Sequence, residues 1–258
     1  MLNISIIIPI GSRNAMLKWC VKTIRENSVN SNHEIIVGFD RIRVVKDMSK
    51  PIENQPESII KWHELPSKEL LDFLERYNCK CYNLGELGDH YRDTNACVRY
   101  CSNEWMNFMH NDIYCAKNWD LGVMNAIESG FAVNHDIIIP NSLPDHAQPA
   151  GIAHQTVIDV FKSDFISSQE KEIYTFNDAK VEAFIKLFSK PGQYFKELER
   201  NLSWVCPITI KKDSFIKAGM YPVKEPFPFG NDLALDRAIT DKLRGNKIVP
   251  LDSFIWHL

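Results

Sequence analysis

A chain of 258 residues with 45% hydrophobic and 24% charged residues has an ordinary folded composition, long enough for one large α/β domain or two small ones. Its net charge of -3 argues against the broad basic face that duplex nucleic acid requires, so no nucleic acid partner is expected. Seven irregularly spaced cysteines, an odd number, argue for reduced thiols in a cytoplasmic setting, and Cys79-Lys80-Cys81 lacks the second pair that structural zinc wants.

The first element is the apolar, β-branched run from Ile4 to Ile10, the pattern of a buried parallel strand. It is too short to span a bilayer and no other segment reaches that length, so no transmembrane segment is expected and membrane contact would be peripheral. Gly11-Ser12-Arg13-Asn14 breaks the run, and Ala15 to Asn27 carries Met16, Trp19, Cys20 and Ile24 at helical spacing. Glu34 to Phe39 follows as a second strand, which completes a βαβ unit.

Residues 41–66, with three prolines, are expected to have little regular order. Ser67 can cap a helix to Tyr77 whose apolar face is Leu70, Leu71, Phe73 and Leu74. A strand is expected at 79–84, a helix at 93–101 and a strand at 104–109. A helix at 119–129 then precedes a strand at 136–140, and 141–151 reads as an irregular loop. Residues 155–201 read as helix-rich, broken at Pro191-Gly192. A strand at 204–210, a short helix from 215, a loop at 222–230, a long helix at 233–244 and a last strand from 247 complete the chain. With no repeat or flexible linker, one domain over 1–258 is expected, its nucleotide-binding half 1–112 and its acceptor side 113–258.

The sharpest polar residues stand where hydrophobic runs stop. Asp40 ends 35–39, Asp112 follows 105–111, His257 follows 248–256, and Asn231-Asp232 precedes a helical pattern. In open α/β sheets that edge is where ligands bind.

The order of these pieces resembles the family 2 glycosyltransferases of the GT-A fold over nearly the whole chain. Residues 4–9 look like that family's opening strand. Residues 34–40 resemble its second strand, and Arg92-Asp93-Thr94-Asn95-Ala96 with the run from Asn103 to Asp112 resembles the approach to its D-x-D motif. Gly219-Met220-Tyr221, Asn231 to Arg237, Gly245 to Ile248 and His257 resemble its acceptor-side signature. The chain departs from that pattern at His110 and Phe39, where aspartates are usual, at Asn231-Asp232 for Glu-Asp, and at Gly11-Ser12 for Tyr-Asn. The implied fold is a Rossmann-like α/β domain with a mixed, mostly parallel sheet flanked by helices and a helical insertion in the second half.

The resemblance implies a metal-dependent inverting glycosyltransferase. It would move a sugar from a nucleotide-sugar, most plausibly a UDP-sugar, to a hydroxyl on a glycan, lipid-linked or protein acceptor. Asp112 would bind Mn²⁺ or Mg²⁺, with His257 as second ligand tilting the choice toward Mn²⁺, since a Lewis acid is needed at the departing diphosphate. Pro9, Ile10, Asp40, Arg92, Asn95, His110 and Asn111 would line the nucleotide site. Trp204 and Asn231 would meet the acceptor, and Asp232 would take the acceptor proton as general base. The alternative reading is a degenerate GT-A domain that binds nucleotide or glycan without turnover, motivated by His110 and Phe39. A sugar-nucleotide-forming nucleotidyltransferase is disfavoured by the single glycine of the first loop. A dehydrogenase is disfavoured because no G-x-G-x-x-G follows the first strand.

Overall fold

The computed structural model describes residues 2–10, 14–40, 42–46, 57–61, 66–85, 87, 90–130, 137–143, 166–168, 171–173, 178–196, 207–221, 243 and 247–257. The first half opens with β1 (Ile4–Ile10), α1 (Asn14–Asn27) and β2 (Glu34–Asp40). A hairpin of β3 (Ile42–Lys46) and β4 (Glu57–Lys61) follows, then α2 (Lys68–Arg76), β5 (Cys79–Gly85), α3 (His90–Cys97) and β6 (Trp105–Phe108). Beyond these come β7 (Ile113–Cys115), α4 (Leu121–Glu128), β8 (Ile137–Ile138) and β9 (Asn141–Leu143). The remainder comprises β10 (Ile166–Ser168), β11 (Lys171–Ile173), α5 (Asp178–Phe188), β12 (Tyr194–Lys196), β13 (Ile208–Lys211), α6 (Lys212–Lys217), β14 (Lys247–Pro250) and β15 (Phe254–His257).

The main sheet has eight strands in the order β12-β14-β8-β13-β6-β1-β2-β5. Its first-half portion is parallel: β1 lies between β2 and β6, and β5 continues outside β2. Strand β13 runs antiparallel between β6 and β8, while β14 is parallel to β8 and antiparallel to β12. β1 is buried along its whole length, as a doubly covered central strand must be. One face packs on α1 and α2 through Leu17, Val21, Ile24, Leu70 and Leu74; the other packs on α3 through Tyr91, Cys97 and Val98.

The expected boundaries of β1, β2, α2 and β5 agree with the structure to within one residue. Ser67 caps α2 as expected, its hydroxyl accepting from the Leu70 N–H at 3.2 Å. Several expectations need correction, among them the irregular loop from 141, whose first residues form β9, and the short helix from 215, which starts at Lys212 as α6. The stretch 41–66, read as irregular, contains the β3–β4 hairpin. The helix expected at 93–101 starts three residues earlier at His90 and gives way at Val98 to a 3₁₀ turn. Within the segment expected to be helix-rich, the described residues form α5 together with the short strands β10, β11 and β12. The six described cysteines are free thiols, and no disulfide occurs among the described residues.

Candidate functional site

The C-terminal ends of β1, β2 and β6 lie at one edge of the sheet, since the three strands are parallel neighbours. Pro9 and Ile10 end β1, in register with Gly38 and Phe39 of β2. The Met109 N–H donates to the Ile7 carbonyl at 2.9 Å, which carries β6 one residue further and brings His110 to the same edge.

Asp40 closes β2 at a register irregularity between Phe39 and Asp40. Such a bulge re-aims one side chain. The carboxylate is buried, and its Oδ1 accepts from the Leu87 N–H at 3.1 Å. Arg92 Nη1 donates to the carbonyl of the same residue at 3.0 Å. Leu87 is therefore held from β2 on one side and from α3 on the other, and Asp40 and Arg92 converge on it.

Helix α3 approaches β2 closely because residue 38 is glycine. A Cβ there would lie 2.5 Å from Cys97 Sγ and 2.7 Å from a Leu84 methyl. The helix starts at the site with His90, whose ring meets that of His110 edge-on at 5.3 Å and lies 4.0 Å from that of Tyr91. Both amide ends of Asn95 bond the backbone of Tyr221: Nδ2 donates to its carbonyl at 3.0 Å, and Oδ1 accepts its N–H at 3.1 Å. Tyr221 also packs edge-on against Tyr91 and Phe215. The clasp ties α3 to the residues that follow α6.

His110 and Asn111 form the turn between β6 and β7 and are partly exposed, whereas Asp112 is 8% exposed. β7 pairs antiparallel with β15, with the His257 Cα opposite that of Ile113. The backbone of His257 thus runs beside the residue that follows Asp112. Asp112 and His257 are 145 positions apart in the sequence, and the β7–β15 pairing sets the backbone of one beside the residue that follows the other.

An oxygen donor from Asp112 and a nitrogen donor from His257 suit a divalent ion such as Mn²⁺. No group of three or more His, Cys, Asp or Glu side chains is arranged to hold a metal among the described residues. Asp232, Asn231 and Trp204 lie outside the described residues.

Two further residues stand here: His90, which no motif marked, and Asp93, which the resemblance quoted only as part of 92–96 without a role. Both belong to the first turn of α3, and Asp93 is 3% exposed. The Gly88-Asp89 pair just before His90 was the available signal for an early helix start.

No protein-family model matches the chain, and no curated protein sequence matches it. Solved structures do. The crystal structure of S. aureus TarS 1–349 is similar at TM-score 0.56 and 12% identity, over 99% of this chain and 60% of that one. The mannosyltransferase PcManGT from Pyrobaculum calidifontis, in complex with GDP-Man and Mn²⁺, is similar at TM-score 0.52 and 11% identity, over 98% of this chain and 56% of that one. GalNAc-T7 with UDP, GalNAc and Mn²⁺ is similar at TM-score 0.59 and 10% identity, over 100% of this chain and 44% of that one. The chain thus spans roughly half the length of the proteins it matches. Its mixed, mostly parallel sheet flanked by helices is the fold of these GT-A glycosyltransferases.

Proposed function

We propose that the chain is a metal-dependent inverting glycosyltransferase that moves a sugar from a nucleotide-sugar donor, a UDP-sugar in the first instance, to an acceptor hydroxyl. The observation that carries this reading is the β7–β15 pairing. It sets the His257 backbone opposite Ile113, the residue directly after Asp112, and Asp112 itself follows His110 at the sheet edge that Asp40 also ends. Bound UDP in a further TarS structure, and bound GDP-Man and Mn²⁺ in PcManGT, support the donor class and the ion.

In this mechanism Asp40 accepts a hydrogen bond from the base or ribose, and Pro9 and Ile10 form the floor beneath it. Arg92 lies toward the phosphates, and His110 and Asn111 face the ribose. Asn95, with both amide ends on Tyr221, contributes by holding α3 and the acceptor-side segment together. Asp112 and His257 would hold the divalent ion, which would supply positive charge to offset that of the leaving diphosphate. Asp232 removes the proton from the acceptor hydroxyl as its oxygen bonds to the anomeric carbon. The bond from that carbon to the phosphate oxygen breaks, and the nucleoside diphosphate leaves with the electron pair. Trp204 and Asn231 meet the acceptor, which is a glycan, a lipid-linked sugar or a protein. The setting is cytoplasmic, with peripheral membrane contact where the acceptor is lipid-linked. No described helix is long and apolar enough to cross a membrane.

The second reading, a degenerate domain that binds nucleotide or glycan without turnover, is favoured by His110 and Phe39 where the family pattern has aspartates. Calorimetric titration of UDP, GDP and CDP with Mn²⁺, Mg²⁺ or EDTA tests both. Metal-dependent binding of one nucleotide supports the donor site, and turnover of its sugar conjugate then separates transferase from degenerate domain. Failure of all three nucleotides to bind in the presence of metal overturns the donor site.

A further inference from the structure

Strand β7 has two edges, and among the described residues only one of them faces a strand. Successive residues of a strand send their backbone groups to opposite edges. Tyr114 therefore bonds toward β15, while Ile113 and Cys115 bond the other way. On that other side lies α1, a helix, which has no backbone groups to offer at mid-length.

The side chains of α1 supply them instead. Thr23 Oγ1 accepts from the Cys115 N–H at 3.2 Å, and Asn27 Nδ2 donates to the Cys115 carbonyl at 2.7 Å. One turn earlier, the fully buried Cys20 Sγ donates to the His110 carbonyl at 3.5 Å, and the Ile113 N–H points at the same sulfur. Burial pushes this thiol far above its ordinary range and keeps it protonated, as donation to a carbonyl requires. Thr23 in turn donates to the Cys20 carbonyl at 3.1 Å, and the Asn118 N–H donates to the Asn27 carbonyl at 2.6 Å. The spacing 20, 23, 27 places the three side chains on one face of a helix.

Cys20 thus touches both ends of the His110–Ile113 turn, which contains Asp112. The same β7 carries β15, and with it His257, on its far edge. We propose that Cys20, Thr23 and Asn27 form a positioning ladder that sets the His110–Asp112 turn relative to His257. The functional part of this proposal rests on reading that turn as the donor and metal site. None of the three touches substrate; they act through the backbone that carries Asp112.

The test uses the full chain and the variants Cys20→Ala, Cys20→Ser and Thr23→Val. Two quantities are read: the affinity for UDP with and without Mn²⁺, and the amide hydrogen exchange of Ile113 and Cys115. Cys20→Ala should lower the Mn²⁺-dependent affinity by about 10- to 100-fold, the usual effect of losing a group that orients a metal ligand. Binding in EDTA should not change, and exchange at Ile113 should quicken. Cys20→Ser, which keeps a donor and an acceptor, should restore most of both. The near-isosteric Thr23→Val should quicken exchange at Cys115, and it carries the test should Cys20→Ala fail to fold. Wild-type exchange at both amides together with wild-type affinity in the variants would overturn the ladder. If the wild-type chain binds no nucleotide, the donor-site reading and the functional part of the proposal fall together, while the exchange measurements still decide whether the ladder exists.

Discussion

His33 Nε2 and Asp120 Oδ2 lie 2.9 Å apart, with 1% and 0% of their side chains exposed. The other ring nitrogen, Nδ1, accepts from the Ile4 N–H at 3.2 Å, so the ring proton sits on Nε2 and is donated to Asp120. Asp120 also accepts the N–H groups of Val29 at 2.8 Å and Asn30 at 3.0 Å. One carboxylate therefore joins the start of β1, the loop before β2 and the start of α4. Asp120→Ala would leave three donors unsatisfied, two of them buried, and should cost about 1–3 kcal/mol in urea unfolding for each buried donor left unpaired. A loss below about 1 kcal/mol, the size of a surface pair, would show the junction to be held by packing alone.

Gly38 sets how near α3 comes to β2. Gly38→Ala should destabilise the fold by about 1–3 kcal/mol through overpacking against Cys97 and Leu84. Cys97→Ala removes the nearer obstacle, so the double variant should recover part of that loss; strictly additive thermal unfolding data would contradict the close approach.

Two carboxylates should give opposite pH dependences. Burial pushes Glu34 up, but bonds from Lys80 Nζ at 2.6 Å, the Ser102 N–H at 2.9 Å and the Ser5 hydroxyl at 2.5 Å bring it below its ordinary 4.5. Its proton is held more weakly in the folded state, so its stabilisation is present above pH 4.5 and is lost as pH falls through the lower folded value. Burial raises Asp252 above its ordinary 3.8, and Oδ1 has no hydrogen-bond partner among the described residues. The folded state holds that proton more tightly, so stability falls as pH rises from 3.8 through the raised value. Denaturant melts across the acid range check both. Glu34→Gln should flatten the acid-side loss, and Asp252→Asn should remove the decline on rising pH.

At the proposed site, Asp112→Ala should weaken UDP binding in Mn²⁺ and leave binding in EDTA unchanged. Asp232→Asn should keep nucleotide binding nearly intact while transfer falls by about 100- to 10,000-fold, the range for loss of a general base. Normal transfer by Asp232→Asn would remove it as the base; unchanged Mn²⁺-dependent binding by Asp112→Ala would remove it as the ligand.

Local pattern alone was enough for the central strands. Ile4–Ile10 is apolar throughout, so burial on both faces is written into its composition, and Ser67 with Leu70 and Leu74 marks the cap and inner face of α2. The β3–β4 hairpin was not legible, because the stretch that holds it is punctuated by prolines and its pairing is between strands rather than within a window. The start of α3 was missed because His90-Tyr91-Arg92 carries no start signal of its own; contact with His110 and Tyr221 holds that turn in place.

The sequence by itself marked where apolar runs give way to polar side chains, because that boundary is written in local composition. That logic found Asp40, Asp112 and His257 one at a time. Only the tertiary structure decided that the strands leading to Asp40 and Asp112 flank β1 at one edge and that the His257 backbone pairs opposite Ile113. Strand order and register are long-range choices, made when β1 inserts between β2 and β6 and when β15 crosses the chain to pair with β7. The same packing put Cys20, Thr23 and Asn27 to work as hydrogen-bond partners for β7. In the sequence they are one face of a helix, and nothing local says that the other side of that face is a strand lacking a neighbour.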